Sequence, residues 1–201
     1  MARRPLTFRR LSGLDRSGPP PAETLRDAPW NPWTIPNAIG FVRAALLPVF
    51  LILAFSSESG TDALPAILYA GIGWGDYADG IAARLTGQYS KLGALMDPII
   101  DRALIIAGIA VVWHFDLLPR WALAVLLARE VVQLAYGQWA LRHGIDLHVT
   151  WPGRIGVWPA MGSVFFAMCG LDTLGEVMLY IGTALMIWAT VLYIRQGSSS
   201  R

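Results

Sequence analysis

Four aspartates near the middle of the chain lie within two runs of otherwise apolar residues. The stretch reads Asp76-Tyr-Ala-Asp79-Gly80-Ile-Ala-Ala83-Arg84, then eight residues, then Gly93-Ala-Leu-Met-Asp97-Pro-Ile-Ile-Asp101. A charged side chain at the centre of a membrane helix costs about 2.5–3.5 kcal/mol even on lenient insertion scales. Four such charges indicate a functional site, because a purely structural role would not offset that cost.

The spacing of the aspartates predicts that they converge. In an antiparallel helical hairpin whose turn centres near Gln88, facing residues have position numbers of roughly constant sum. Asp79 and Asp97 sum to 176, and Asp76 and Asp101 sum to 177, so each pair lies at a matched depth. Separations of three residues on one helix and four on the other place each helix's aspartates on one face. That depth is about nine residues, or ~13 Å, from the turn.

Converging carboxylates repel one another strongly in a low dielectric, so either some are protonated or cations are bound. The ligand set is all oxygen, with no cysteine or histidine at a useful spacing, which favours Mg²⁺ or Mn²⁺ over zinc. Two ions would suit four carboxylates, and two-metal sites suit phosphoryl chemistry. The sequence therefore predicts a metal site formed by Asp76, Asp79, Asp97 and Asp101.

Small residues and one arginine surround these aspartates. Gly80 and Ala83 leave room for a ligand beside the first run, and Gly93 faces the same level from the second. Arg84 lies one turn further along and can pair with a phosphate. Close helix packing explains Gly80, Ala83 and Gly93 equally well, and a charge that sets membrane topology is a fair alternative for Arg84.

The rest of the chain is that of a polytopic membrane protein. Of its 201 residues, 55% are hydrophobic and 15% are charged, and the mean hydropathy is +0.47. Apolar runs of about twenty residues, each long enough to cross a bilayer, recur along it. We therefore expect an all-α integral membrane fold with six transmembrane helices, over residues of about 38–55, 63–85, 92–114, 117–141, 151–170 and 174–194.

Charge asymmetry orients these predicted helices. The termini and the loop between Arg84 and Lys91 carry most of the basic residues, whereas the opposite loops are mainly acidic. The positive-inside rule then places both termini in the cytoplasm, with a polar cavity at the cytoplasmic side of the membrane. Arg43 lies within the first run, where it either snorkels to headgroups or faces a polar cavity.

The composition of the chain predicts a division into three segments. Residues 1–33 are predicted to be a flexible basic cytoplasmic tail with an interfacial anchor at Trp30 and Trp33. An organellar transit peptide is the weaker alternative for that tail, because the segment also contains acidic residues. Residues 34–195 form the six-helix domain, and residues 196–201 are expected to be a disordered C-terminal tail. The net charge of +2 is too small to indicate a nucleic-acid partner.

The pattern D-x2-D-G-x2-A-R-x8-G-x3-D-x3-D resembles the signature of the CDP-alcohol phosphatidyltransferases, and every fixed position is present. Ile35-Pro36-Asn37, Arg43 and the six predicted helices are also similar to that family. The resemblance implies an enzyme of a bacterial plasma membrane, with its active site facing the cytoplasm and a homodimeric assembly. It would pass the phosphatidyl group of CDP-diacylglycerol to a small alcohol or a lipid acceptor, releasing CMP.

The same resemblance implies roles for the residues of the motif. Three aspartates, Asp76, Asp79 and Asp97, would hold the metals, and Asp101 would be a shared ligand or the catalytic base. The residues that would contact the cytidine diphosphate are Gly80, Ala83, Arg84 and Gly93.

The acceptor is less closely specified. Segments around Lys91, Arg129 and Trp151 resemble phosphatidylglycerophosphate synthases and related cardiolipin synthases. The basic Gly-Lys-x-Lys-Thr segment of those enzymes departs here to Gly153-Arg154-Ile-Gly-Val157. Glycerol 3-phosphate is the first acceptor that we expect, with phosphatidylglycerol as the alternative.

Three basic residues, Lys91, Arg129 and Arg154, are candidates for acceptor binding. A pair with a nearby helix acid is an equally good interpretation of Arg129, and headgroup contacts would explain the other two. Two rival functions are a divalent-cation or proton transporter and a degenerate relative that only binds its ligand.

Overall fold

A computed structural model of the chain describes residues 30–142 and 151–199, with side chains except at 140–142, 152, 154 and 196–199. These residues form six α-helices and no strand, which confirms the predicted all-α class. The helices are α1 Ile35–Phe55, α2 Ala63–Thr86, α3 Lys91–His114, α4 Arg120–Arg142, α5 Trp151–Met168 and α6 Asp172–Ser199. Most of the predicted bounds lie within three residues of these.

Helix α6 is longer than expected and corrects one prediction. It continues to Ser199, so residues 196–199 are helical rather than part of a disordered tail. No proline interrupts the hydrogen-bond ladder there, and the single Gly197 costs a helix only about 1 kcal/mol. The predicted basic tail over residues 1–29, the polar loop over 143–150 and the last two residues lie outside the described part of the chain.

Two of the described helices are both long enough and apolar enough to cross a membrane. These are Ile35–Phe55 and Asp172–Arg195. Ile155–Met168 is apolar but shorter. Helices α2 and α3 have 24 residues each but contain the four aspartates, and neither is among the two.

The chain divides into two compact units. The first unit comprises the described residues up to Phe50 together with Leu68–Leu104, and it contains all four aspartates. The second unit comprises Leu51–Ile67 and the described residues from Ile105 onwards. Within this second unit α5 and α6 pack closely. A Cβ on Gly182 would lie only 2.6 Å from the backbone nitrogen of Ala160. Small residues allow such close helix approach.

In the first unit, α1 begins at a capped end. Thr34 accepts a hydrogen bond from the backbone nitrogen of Asn37 through its hydroxyl, at 3.2 Å, as an N-cap residue does. The backbone nitrogen of Ile35 donates to the side-chain oxygen of Gln88 at 2.9 Å. Because Gln88 belongs to the loop between α2 and α3, this bond ties that loop to the start of α1.

Asn37 connects the same two places from the interior. Its side chain is buried, at 2% exposure, and its Oδ1 accepts a hydrogen bond from the Ser90 hydroxyl at 2.9 Å. The Ser90 oxygen in turn accepts from the backbone nitrogen of Gly93 at 3.0 Å, which caps α3. The beginnings of α1 and α3 are therefore fixed to each other by one buried polar network.

Candidate functional site

A single guanidinium brings three of the four aspartates together. Arg43 Nη1 donates to Asp79 Oδ2 at 2.9 Å and to Asp76 Oδ1 at 3.4 Å. Its Nη2 donates to Asp101 Oδ1 at 2.6 Å, and its Nε donates to the carbonyl oxygen of Ile72 at 2.9 Å. Side chains from α1, α2 and α3 thus meet at one cation.

The site has a buried part and an open part. The side chains of Arg43 and Asp79 are 2% and 7% exposed, whereas those of Asp76 and Asp101 are 48% and 44% exposed. Burial of a charge is tolerated only when it is paired. Arg43 therefore faces the carboxylates, and the alternative in which it snorkels to headgroups was wrong.

Asp97 completes the group electrostatically. It is half-buried on α3, and it is the neighbouring carboxylate whose charge acts most strongly on Asp79. Among the other carboxylates, Asp76 is the one whose charge acts on Asp101. The charge of Asp76 also acts on Asp79, so these carboxylates influence one another as a group.

The oxygen ligands of the four aspartates suit a hard divalent cation, although three of the carboxylates bond to Arg43. Four carboxylates are an all-oxygen donor set of the kind that Mg²⁺ and Mn²⁺ prefer. Within residues 30–142 and 151–199, no group of three or more His, Cys, Asp or Glu side chains is arranged closely enough to hold a metal ion. The Arg43 guanidinium lies between these carboxylates and bonds to side chains from both α2 and α3.

Among the residues expected to contact a nucleotide, Gly80 and Arg84 form one surface. A Cβ on Gly80 would lie 3.5 and 3.6 Å from the two terminal nitrogens of Arg84, so the guanidinium rests against the glycine. The Nε of Arg84 is buried without a hydrogen-bond partner. An unsatisfied donor of a cation favours an anionic ligand at this position.

Gly93 and Ala83 have a packing role in the described structure. A Cβ on Gly93 would lie 2.6 Å from Asn37 Oδ1 and 3.3 Å from the Ser90 hydroxyl. The glycine is therefore needed for the network that joins α1 to α3. Ala83 is buried, at 9% exposure, as expected where helices approach closely.

Of the acceptor candidates, Arg129 belongs to the second unit and is buried there. Its Nε donates to the Thr190 hydroxyl at 3.0 Å and to the Met186 carbonyl oxygen at 3.3 Å, and its Nη1 pairs with Glu130. This is the pairing with a nearby acid that the sequence left open. Lys91 is the first residue of α3 and is partly exposed, and the side chain of Arg154 lies outside the described residues.

Arg43 lies among the aspartates, although the sequence did not assign it to the candidate site. Its signal was a lone charge inside the first apolar run. Gly75 is its counterpart on α2, because a Cβ there would lie 2.7 Å from Arg43 Cδ and 2.8 Å from Cγ. The aliphatic part of Arg43 therefore crosses α2 where Gly75 has no side chain.

Replacing Gly75 with alanine is expected to destabilise the protein by about 1–3 kcal/mol through overpacking. Arg43 cannot move aside cheaply, because its far end is held by three carboxylates. Gly71→Ala is the matched control, since a Cβ there has nothing within 4 Å and alanine favours the helix by up to about 1 kcal/mol. Thermal unfolding of the two purified variants in detergent checks this; equal midpoints would contradict the tight contact.

A comparison with known families shows which family the chain belongs to. The family model for the CDP-alcohol phosphatidyltransferases matches residues 33–192. The chain belongs to the CDP-alcohol phosphatidyltransferase family. This membership confirms the resemblance drawn from the aspartate motif, and it makes the chain a transferase of phospholipid biosynthesis in a membrane-bound family. The transporter alternative has no comparable support.

Named relatives fall into two groups. The chain is 34% identical to the cardiolipin synthase (CMP-forming) of Streptomyces coelicolor, over 81% of this chain and 82% of that protein. It is 31% identical to the CDP-diacylglycerol–glycerol-3-phosphate 3-phosphatidyltransferase of Bacillus subtilis, over 49% of this chain and 57% of that protein. The enzyme of the same name from Pectobacterium atrosepticum is 24% identical over 81% of this chain and 93% of that protein.

Proposed function

We propose that this enzyme transfers the phosphatidyl group of CDP-diacylglycerol to an alcohol and releases CMP, with two divalent cations held by Asp76, Asp79, Asp97 and Asp101. The observation that carries the proposal is the meeting of Asp76, Asp79 and Asp101 on one buried guanidinium. Family membership supplies the reaction class, and the oxygen-only donor set supports Mg²⁺ or Mn²⁺.

In this reaction the acceptor oxygen attacks the phosphorus attached to diacylglycerol. The bond from that phosphorus to the oxygen it shares with the cytidine phosphate breaks, and that oxygen leaves with CMP. Asp101 accepts the proton of the attacking hydroxyl, because its carboxylate is on the open side of the site, at 44% exposure. Bound divalent cations supply neutralisation of the diphosphate and of the charge that develops on CMP.

The other residues bind and position the substrate. Arg84 offers its guanidinium, with an unpaired Nε, to a phosphate beside Gly80. Asp79 is buried and hydrogen-bonded, so it holds one orientation while the exposed aspartates remain accessible. The network of Asn37, Ser90 and Gly93 fixes the start of α3, from which Asp97 and Asp101 project.

For the acceptor, we propose phosphatidylglycerol, which would make the product cardiolipin. The segment Gly153–Val157 lacks the second lysine and the threonine of the related basic motif, which weakens recognition of a phosphorylated small alcohol. Arg129 is already paired with Glu130, and the relative with 34% identity is named a cardiolipin synthase.

Glycerol 3-phosphate, the acceptor expected first from the sequence, is the second candidate. The Bacillus subtilis relative carries that acceptor in its name, and Lys91, the partly exposed first residue of α3, offers a basic side chain for its phosphate.

The membrane arrangement that fits this function has six spans, with both termini and the aspartates towards the cytoplasm of a bacterial cell. The asymmetry of basic residues supports it, and so does the agreement between the predicted runs and the six described helices. We further propose a homodimer, by analogy with the family.

An acceptor panel tests the proposed function. The purified enzyme is incubated with CDP-diacylglycerol, Mn²⁺ and either phosphatidylglycerol, glycerol 3-phosphate, inositol phosphate or serine, and the lipid products are identified by mass spectrometry. We expect cardiolipin with phosphatidylglycerol at a rate at least about tenfold above any other acceptor. Phosphatidylglycerophosphate as the dominant product would reverse the order of the two candidates, and no lipid product with any acceptor would contradict the proposed function.

A further inference from the structure

Arg43 gives the carboxylate cluster a cation of its own. All three nitrogens of its guanidinium donate hydrogen bonds, to Asp76 and Asp79, to Asp101 and to the Ile72 carbonyl oxygen. The side chain is 2% exposed. A guanidinium is planar and rigid, so it can bridge several carboxylates that a compact ammonium could not reach together.

The position of this cation is built into the packing of α1 against α2. Gly75 leaves the space through which the aliphatic part of Arg43 passes, at 2.7–2.8 Å from where a Cβ would be. Nε is anchored to the backbone at Ile72, not to a carboxylate. The terminal nitrogens can therefore leave the aspartates while the rest of the side chain keeps its place.

Arg43 and a divalent cation need the same oxygens. The guanidinium occupies Asp79 Oδ2 at 2.9 Å and Asp101 Oδ1 at 2.6 Å. Mg²⁺ takes carboxylate oxygens at about 2.0–2.1 Å, which would bring a doubly charged ion within a few ångströms of the guanidinium. Two cations at that distance repel strongly in a site of reduced dielectric.

We propose that Arg43 is an internal counter-cation that binds the aspartates in the metal-free enzyme and is displaced from Asp79 and Asp101 when the divalent cation binds. Metal binding is then an exchange of one cation for another, in which the buried carboxylate of Asp79 always has a cationic partner. This inference rests on the proposed metal site at the four aspartates. It makes Arg43 a positioning residue whose contacts set the affinity for the metal.

The affinity of the full-length enzyme for Mn²⁺ tests the exchange. Free Mn²⁺ is measured by electron paramagnetic resonance in detergent, without lipid or nucleotide, for the wild type, Arg43→Gln and Arg43→Lys. We expect Arg43→Gln to raise the affinity about tenfold or more, because the competitor is lost. Arg43→Lys keeps the charge but loses the bridging geometry, and we expect it to raise the affinity at least about threefold.

Arg84→Gln is the matched charge control. It also removes one arginine charge near α2 and α3, but Arg84 rests on Gly80, and we expect its effect on Mn²⁺ affinity to stay below about twofold. One result would show an effect of net charge alone: Arg43→Lys binds Mn²⁺ like the wild type, while Arg43→Gln and Arg84→Gln bind it with equal affinity. The proposed exchange would then be wrong. Weaker Mn²⁺ binding in both Arg43 variants would also overturn it, since Arg43 would then assist the metal.

A stability measurement accompanies the titration. We expect metal-free Arg43→Gln to unfold at a lower temperature than the wild type, because Asp79 loses its partner, and we expect Mn²⁺ to restore more of the difference than it adds to the wild type. Equal Mn²⁺ stabilisation of the two proteins would contradict displacement of Arg43. CMP release with Mn²⁺ in the wild type separates the two proposals: its presence together with unchanged affinities overturns the exchange alone, whereas its absence overturns the proposed function.

Discussion

Replacing Asp101 with asparagine is expected to lower kcat for CMP release by about 10²–10⁴-fold, the usual contribution of a positioned general base. Asparagine has nearly the same shape but accepts a proton too weakly to activate the attacking hydroxyl. The carboxylate is well placed for that role, because its side chain is 44% exposed while Arg43 fixes one of its oxygens at 2.6 Å.

The measurement is single-turnover CMP release at saturating Mn²⁺, so that a loss of metal affinity is not mistaken for a loss of proton transfer. Asp172→Asn is the control: it makes the same change at the exposed first residue of α6, and we expect activity within about twofold of the wild type. Retention of full activity in Asp101→Asn would show that Asp101 is neither base nor essential ligand.

Removal of divalent cations is expected to lower CMP release to the background rate, a loss of at least about 10³-fold. When all four aspartates are ionised, Arg43 alone leaves the cluster with a formal charge of −3, which repels an anionic diphosphate. Two divalent cations would reverse the sign of that charge. The enzyme is treated with EDTA, desalted and assayed with each cation in turn.

We expect Mg²⁺ or Mn²⁺ to restore the rate and Zn²⁺ to restore little, because zinc prefers sites with nitrogen or sulfur ligands. The EDTA-treated protein should keep its thermal unfolding midpoint within a few degrees, since Arg43 still binds the carboxylates. Undiminished CMP release after chelation would contradict the metal site. Loss of activity together with unfolding would indicate instead that the cation has a structural role.

Most helix bounds could be predicted from the sequence, because apolar runs are flanked by residues that start or stop a helix. Thr34 caps α1 and Ser90 caps α3 through their hydroxyls, and such side-chain signals are local. The end of α6 could not be predicted in the same way, because Gly197 weakens a helix without ending it. Membrane spans are harder to recognise by composition in α2 and α3, because the aspartates lower the apolar character of these two helices.

The proximity of the aspartates could be predicted from the sequence, because helix periodicity and a short turn determine which residues face one another. The position of Arg43 could not be predicted in this way, since it depends on contacts 29 to 58 residues away along the chain. Gly93 shows the same limit: it belongs to the motif, yet its closest potential contact is Asn37 on α1. Motifs identify chemistry, whereas contacts between distant segments decide which residues position it.

We propose above all that the four aspartates form a metal-dependent site for phosphatidyl transfer. The most direct test of this site uses CDP-diacylglycerol labelled with phosphorus-32 in the phosphate attached to diacylglycerol, together with phosphatidylglycerol and Mn²⁺. We expect the label to appear in the phospholipid product and the released CMP to be unlabelled, in a reaction that Asp101→Asn and EDTA each slow by at least about 10²-fold. Label in a water-soluble phosphate or nucleotide, or equal turnover by Asp101→Asn, would contradict the claim.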